Sequence, residues 1–144
     1  MPEPLWVPSE QRVRQSNMLR FMQRVNKTHG TTLSSYAELY RWSVDKIEDF
    51  WEMIWSESGI IHSDVYTSVL RERKMPGAQW FEGARLNFAE NLLRYRDGKV
   101  AIIAYGETRG PTRLTYDDLH ERVAACAAGL RSLGVKKDDR VAGY

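Results

Sequence analysis

The strongest constraint on this chain lies in its last third. Val100-Ala101-Ile102-Ile103-Ala104-Tyr105 is apolar on both faces and partly β-branched, which predicts a buried strand rather than a half-exposed one. Gly106 to Pro111 makes a turn and Arg113-Leu114-Thr115 a short strand. Thr115-Tyr116-Asp117-Asp118 then forms a Thr-x-x-Asp cap on a helix whose buried face carries Leu119, Val123, Ala127, Leu130 and Leu133. Gly134 ends that helix. After the polar connection Lys136-Lys137-Asp138-Asp139, the segment from Arg140 to Tyr144 begins another apolar strand. A parallel strand placed after a crossover helix needs neighbours on both sides and helices on both faces, and most of these are missing from the 144 residues. The expectation is an N-terminal piece of a longer α/β protein, truncated at Tyr144. The open strand edge at Arg140 to Tyr144 and the uncovered apolar surface would favour self-association.

The first part of the chain reads as helical. Met18, Phe21, Met22 and Val25 follow the i, i+3, i+4, i+7 spacing of one apolar stripe, closed by Gly30. Ser35-Tyr36-Ala37-Glu38 is a capping box, in which hydroxyl and carboxylate each satisfy an unpaired backbone N–H, opening a helix to about Trp42. Ser43 with Asp45 reads as a further N-terminal signal, followed by the stripe Ile47, Phe50, Trp51 and Ile54 and closed by Gly59. These three helices make an all-α N-terminal section. From Ile60 to Arg85 the pattern weakens: Val65, Tyr66, Val69 and Leu70 suit a brief helix or an extended segment, and Met75-Pro76-Gly77 a turn. Asn87 caps a helix to about Arg96, with Phe88 and Leu92 on one face and Asp97-Gly98 as the stop.

Composition excludes several classes. Hydrophobic residues at 42% and charged residues at 28% fit a globular chain rather than a disordered or fibrous one. A net charge of +2, from 21 Lys and Arg against 19 Asp and Glu, is far below that of an electrostatic nucleic-acid or membrane binder, so neither partner is expected. A single cysteine, Cys126, cannot form an internal disulfide, and the N-terminus lacks the basic and apolar regions of a signal peptide; a cytoplasmic protein is expected.

Candidate chemistry is sparse. His62-Ser63-Asp64 and the group Asp117, Asp118, His120 and Glu121 hold metal-compatible side chains, but neither supplies three or four ligands at a recurring spacing. The acids at the start of the last helix are accounted for by the helix macrodipole, and His29 suits a helix C-terminus. No Gly-rich phosphate loop and no Gly-x-Ser-x-Gly elbow occurs, and Cys126 between two alanines reads as a small core residue. Aromatic stacking on nucleic acid is disfavoured, because Trp51 falls on a helical apolar stripe with Trp55 beside it. A stand-alone interaction module using the Trp-rich helix Ile47 to Trp55 is the alternative from another class.

The segment from Trp80 to Leu93, Trp-Phe-Glu-Gly-Ala-Arg-Leu-Asn-Phe-Ala-Glu-Asn-Leu-Leu, resembles the one that opens the body of short-chain acyl-CoA synthetases. Upstream, Ser35 to Val44 with Phe50-Trp51 and Ser58-Gly59 is similar to the N-terminal extension of the acetoacetyl-CoA synthetases. Downstream, Leu114 to Leu119 and Leu133 to Val141 resemble the first strand, helix and strand of the adenylate-forming domain. The resemblance covers about Trp6 to Tyr144. It implies a helical N-terminal extension over residues 1–85 and the incomplete start of an AMP-binding domain over 86–144. It also implies a parent ligase that activates acetoacetate with ATP and Mg²⁺ and transfers it to coenzyme A, in ketone-body and lipid metabolism, with acetyl- or propionyl-CoA synthetase as the alternative. In the family the phosphate loop, acid pocket, adenine contacts and mobile C-terminal domain with its lysine all fall beyond the position of Tyr144. No catalytic, cofactor-binding or metal residue is therefore assigned, and the 144 residues alone are expected to be inactive and to bind no cofactor. One departure is that the family's Gly-Asp before Arg-Val is Asp138-Asp139 here, so an aspartate must serve where a residue free to take positive φ is usual.

Overall fold

A computed structural model describes residues 5–143. It divides into two compact units, Met1–Arg85 and Leu86–Tyr144.

The first unit opens with a short helix α1 (Glu10–Arg14) and continues into α2 (Asn17–His29), which Ser16 caps by accepting from the Leu19 N–H and Gly30 ends in the left-handed region. The apolar stripe of α2 does what its spacing requires: Met22 and Val25 are buried, Val25 at 0% exposure. Asn26 fixes the next turn, its Oδ1 accepting from Thr31 Oγ1 and Leu33 N–H and its Nδ2 donating to the Leu33 carbonyl. Leu33 is thereby held against the core. Helix α3 (Tyr36–Asp45) starts on the expected capping box and buries Leu39 and Trp42. Helix α4 (Ile47–Ser58) adds Met53, and Phe50 of α4 meets Phe21 and Trp42 edge-on at 6.0 and 6.4 Å.

One expectation in this unit is corrected and one open segment is settled. Ser43 and Asp45 do not start α4: Ser43 lies inside α3 and its hydroxyl donates to the Tyr40 carbonyl, while Lys46 occupies the cap position without a side-chain cap bond. The segment from Ile60 to Arg85, left open between helix and extended, is a hairpin. Strand β1 (Ser68–Leu70) pairs antiparallel with β2 (Trp80–Glu82), Ser68 opposite Glu82 and Leu70 opposite Trp80. The turn at Met75-Pro76-Gly77 includes a cis peptide before Pro76.

The second unit begins with α5 (Phe88–Leu92), capped by Asn87. It stops at Leu92 rather than near Arg96. Phe88 and Leu92 are exposed and nothing in α5 is buried, so the helix lacks the packed face that prolongs a short helix beyond its cap. Strands β3 (Val100–Ala104) and β4 (Thr112–Thr115) form an antiparallel hairpin with an irregularity between Val100 and Ile102. Helix α6 (Tyr116–Ser132) follows on the expected capping box of Thr115 with Asp118.

The mixed helix-and-strand class is as expected, but burial in this unit is not. Val100, Ile102 and Ile103 are exposed rather than buried, and α6 buries no residue: Leu119, Ala127 and Leu130 are half-buried, Val123 is exposed and Leu133 is 81% exposed. Cys126 is likewise exposed, not a core residue. The reason is geometric: the hairpin packs chiefly on α6, and a two-stranded ribbon cannot cover both its own faces and a helix. Residues 140–143 form no strand, so the expected edge is absent there, and Tyr144 lies outside the described residues. Asp138 does take the positive φ that its turn demands, at 74°.

Glu38 Oε2 accepts from the Ser34 N–H at 2.7 Å, the Ser34 hydroxyl and the Ser35 N–H. The Ser34 backbone bond, then its hydroxyl and the Ser35 backbone, hold this carboxyl below the usual range. A depressed carboxyl stabilises the fold at and above its ordinary pKa, and that contribution disappears as pH falls through the folded value. All five tryptophans, at 6, 42, 51, 55 and 80, lie in the first unit. Urea titrations followed by tryptophan emission should therefore show Glu38→Gln less stable than the parent at neutral pH, with a shallower loss of stability on acidification.

Candidate functional site

The segment from Trp80 to Arg85 is the most elaborated part of the first unit. Trp80 meets Trp51 of α4 edge-on at 5.7 Å. Phe81 packs on Trp55 at 4.8 Å and on Tyr66 at 5.3 Å, and Tyr66 and His62 also contact Trp55, at 5.3 and 5.4 Å. Such pairs contribute about 0.5–1.5 kcal/mol each beyond their burial, which offsets the left-handed backbone of Phe81, φ 48°, a cost of order 1–3 kcal/mol. The Tyr66 hydroxyl donates to Glu52 at 2.9 Å. Burial, then Glu52, pushes its pKa up.

The backbone carbonyl of Glu82 accepts from both the N–H and the hydroxyl of Thr67, at 2.8 and 3.1 Å, and its carboxylate pairs with Arg71 at 2.6 Å. Gly83 follows with φ +85°, and a Cβ there would lie 3.5 Å from the Thr67 methyl. The space is ordinary, so the constraint is conformational: a side chain at this φ costs about 1–2 kcal/mol.

Of the residues singled out by their chemistry, His62, Ser63, Asp64 and Asp118 are used structurally. His62 packs on Trp55, Ser63 donates to the Arg85 carbonyl and Asp64 pairs with Arg85 at 3.5 Å. Asp118 completes the α6 cap, and the Thr115 N–H and hydroxyl hold its carboxyl low. His29 lies at the end of α2 against Trp42 at 5.2 Å, with its Nε2 buried and unpartnered. Trp51 keeps 38% exposure while touching Phe50 and Trp80, and Trp55 is half-buried within its ring cluster. Among the described residues no group of three or more His, Cys, Asp and Glu side chains converges, and no helix is long and apolar enough to cross a membrane.

Sequence reasoning missed one feature, an open apolar groove of about 420 Å³ between α2, α3 and α4, lined by Met18, Phe21, Leu39, Tyr40, Phe50 and Ile54 among others. No charged side chain lines it. It offers apolar surface and no nucleophile, general base or phosphate cradle. The exposed Tyr36 and Tyr40 on its rim stack at 6.4 Å one turn apart.

Helices closed by an aromatic-welded hairpin, followed by a hairpin and a capped helix, have direct counterparts. The family profile described as "Acetyl-coenzyme A synthetase N-terminus" matches residues 36–92, and the one described as "AMP-binding enzyme" matches residues 88–144. The chain thus matches the N-terminal part of an adenylate-forming enzyme. Along nearly its whole length it is a homologue of the acetoacetyl-CoA synthetases. It is 40% identical to acetoacetyl-CoA synthetase of Danio rerio over 97% of this chain and 21% of that protein. It is also 40% identical to malonamoyl-CoA synthetase of Penicillium aethiopicum, over 99% of this chain and 21% of that one. The solved acetoacetyl-CoA synthetase from Streptomyces lividans superposes with a TM-score of 0.89 at 43% identity, covering 99% of this chain and 23% of that chain. The chain therefore spans about a fifth of the length of the relatives it matches.

Replacing Gly83 with Ala should lower the stability of the first unit by about 1–2 kcal/mol, read as a shift of the tryptophan-monitored urea midpoint; an unchanged midpoint would show that the left-handed turn is not fixed there.

Proposed function

We propose that this chain serves as the N-terminal region of an ATP-dependent acid–thiol ligase whose acid is acetoacetate. The observation that carries the reading is 40% identity to acetoacetyl-CoA synthetases along 97% of the chain, supported by the AMP-binding profile over residues 88–144. The carboxylate attacks the α-phosphate of ATP and pyrophosphate leaves; the coenzyme A thiol then attacks the acyl-adenylate and AMP leaves. Mg²⁺ offsets the phosphate charge in such a transfer. The described residues do not fit that ion or a triphosphate: no three ligands converge and no Gly-rich loop is present. No chemical step is assigned to them, and their part is to support the ligase structurally. A cytoplasmic setting in ketone-body and lipid metabolism, without membrane or nucleic-acid partners, belongs to the same proposal; the near-balanced charge and lone cysteine support the setting.

The equal identity to malonamoyl-CoA synthetase favours a second reading, in which malonamate is the acid. Malonamate and acetoacetate both carry a carbonyl β to the carboxylate and differ in a terminal amide nitrogen against a methyl. The acetyl- or propionyl-CoA alternative has in its favour the profile described as "Acetyl-coenzyme A synthetase N-terminus" over residues 36–92, but none of the relatives named above.

Exchanging this chain for the corresponding region of the Streptomyces lividans enzyme tests the proposal. The chimera should keep acetoacetate-dependent AMP formation within about tenfold of the parent, a barrier change near 1.4 kcal/mol, while the 144 residues alone release no pyrophosphate. A folded chimera without activity, or pyrophosphate release by the chain alone, would contradict it.

A further inference from the structure

Every buried hydrophobic residue among those described lies in the first unit: Met22, Val25, Leu39, Trp42, Met53 and Leu70. The β1–β2 hairpin is fastened to the helices along its length. Trp80 and Phe81 pack on Trp51 and Trp55, the Tyr66 hydroxyl bonds to Glu52 of α4, and Arg73 donates to the Val44 carbonyl of α3 at 3.1 Å. The unit is closed where it ends. The Arg85 carbonyl accepts from the Ser63 N–H at 2.8 Å, the Asp64 N–H at 3.4 Å and the Ser63 hydroxyl at 3.2 Å, and the Arg85 N–H donates to the Asp64 carbonyl at 3.1 Å. The Arg85–Asp64 ion pair is mostly exposed and adds little; the backbone bonds make the closure. The second unit has its own hairpin and helix but, among its described residues, none that is buried.

From this we infer that the first unit is an autonomous folding module, latched at its C-terminal end by Ser63 and Asp64 on the Arg85 backbone, which keeps its fold whatever the state of the residues that follow. The consequence is that cooperative unfolding divides at Arg85, with the higher stability on the N-terminal side.

Because all five tryptophans report on the first unit alone, the 144-residue chain itself provides the test. Gly129→Pro places a proline inside α6, where it removes a helical hydrogen bond and clashes with the preceding turn. Far-UV circular dichroism should lose the α6 contribution while the tryptophan-monitored urea midpoint stays unchanged. Arg85→Pro deletes the N–H given to Asp64 and should lower that midpoint, whereas Arg85→Ala, which leaves every backbone bond in place, should not. Hydrogen exchange on the unmodified chain gives an independent reading: amides of α2, α3 and α4 should open together, at least tenfold less often than those of α6. A tryptophan midpoint that falls in Gly129→Pro, one that ignores Arg85→Pro, or equal opening of α6 and α2–α4 would overturn the inference.

Discussion

Trp55 is the residue on which the architecture of the first unit turns. Its indole lies against Phe81, Tyr66 and His62, so one side chain of α4 meets the approach to β1 and the second strand at once. Without it the hairpin, a form marginal in water when isolated, would lose the Phe81 and Tyr66 ring contacts with α4 and keep only the Trp80–Trp51, Tyr66–Glu52 and Arg73–Val44 contacts. With it, the strained backbone at Phe81 is affordable and the left-handed Gly83 turn follows directly, which brings Arg85 back to Ser63 and Asp64. The helical core around Val25 and Trp42 would survive elsewhere, but the place where the chain leaves this unit would not be fixed.

Local signals carried far along this sequence. Ser35 with Glu38 and Thr115 with Asp118 are capping boxes in the structure as in the pattern, and the Met18–Val25 stripe buries Met22 and Val25. Each of these depends on residues within two turns of one another. The failures share the opposite property. The β1–β2 hairpin is held by contacts between residues such as Trp55 and Phe81, far apart in sequence, and its short strands carry no clear alternation. Ser43 and Asp45 have the chemistry of a cap, yet α3 runs on through them because Trp42 is buried on its face. The apolar residues of β3 and α6 imply burial that two strands and one helix do not provide. Of the site, only the Trp80–Leu93 motif was legible, through resemblance; the apolar groove between α2, α3 and α4 arises from tertiary packing.

The division of labour within the chain follows from the same facts. The first unit has a core and a closed end but, among the described residues, no converging group of three or more His, Cys, Asp and Glu side chains. The second carries the strand, cap and helix shared with AMP-binding enzymes while leaving its apolar faces open. Asp138 in a left-handed turn, where the related pattern has glycine, shows the local geometry retained with a less permissive residue.

The central claim is that these residues work as the N-terminal region of a much larger acid–coenzyme A ligase. An antibody raised against them, used to measure the mass of the native polypeptide in the source cells, tests it most directly. The account predicts a product several times heavier than 16.7 kDa, in keeping with relatives of which this chain covers 21%; a native product of 16.7 kDa would contradict it and point to an independent module.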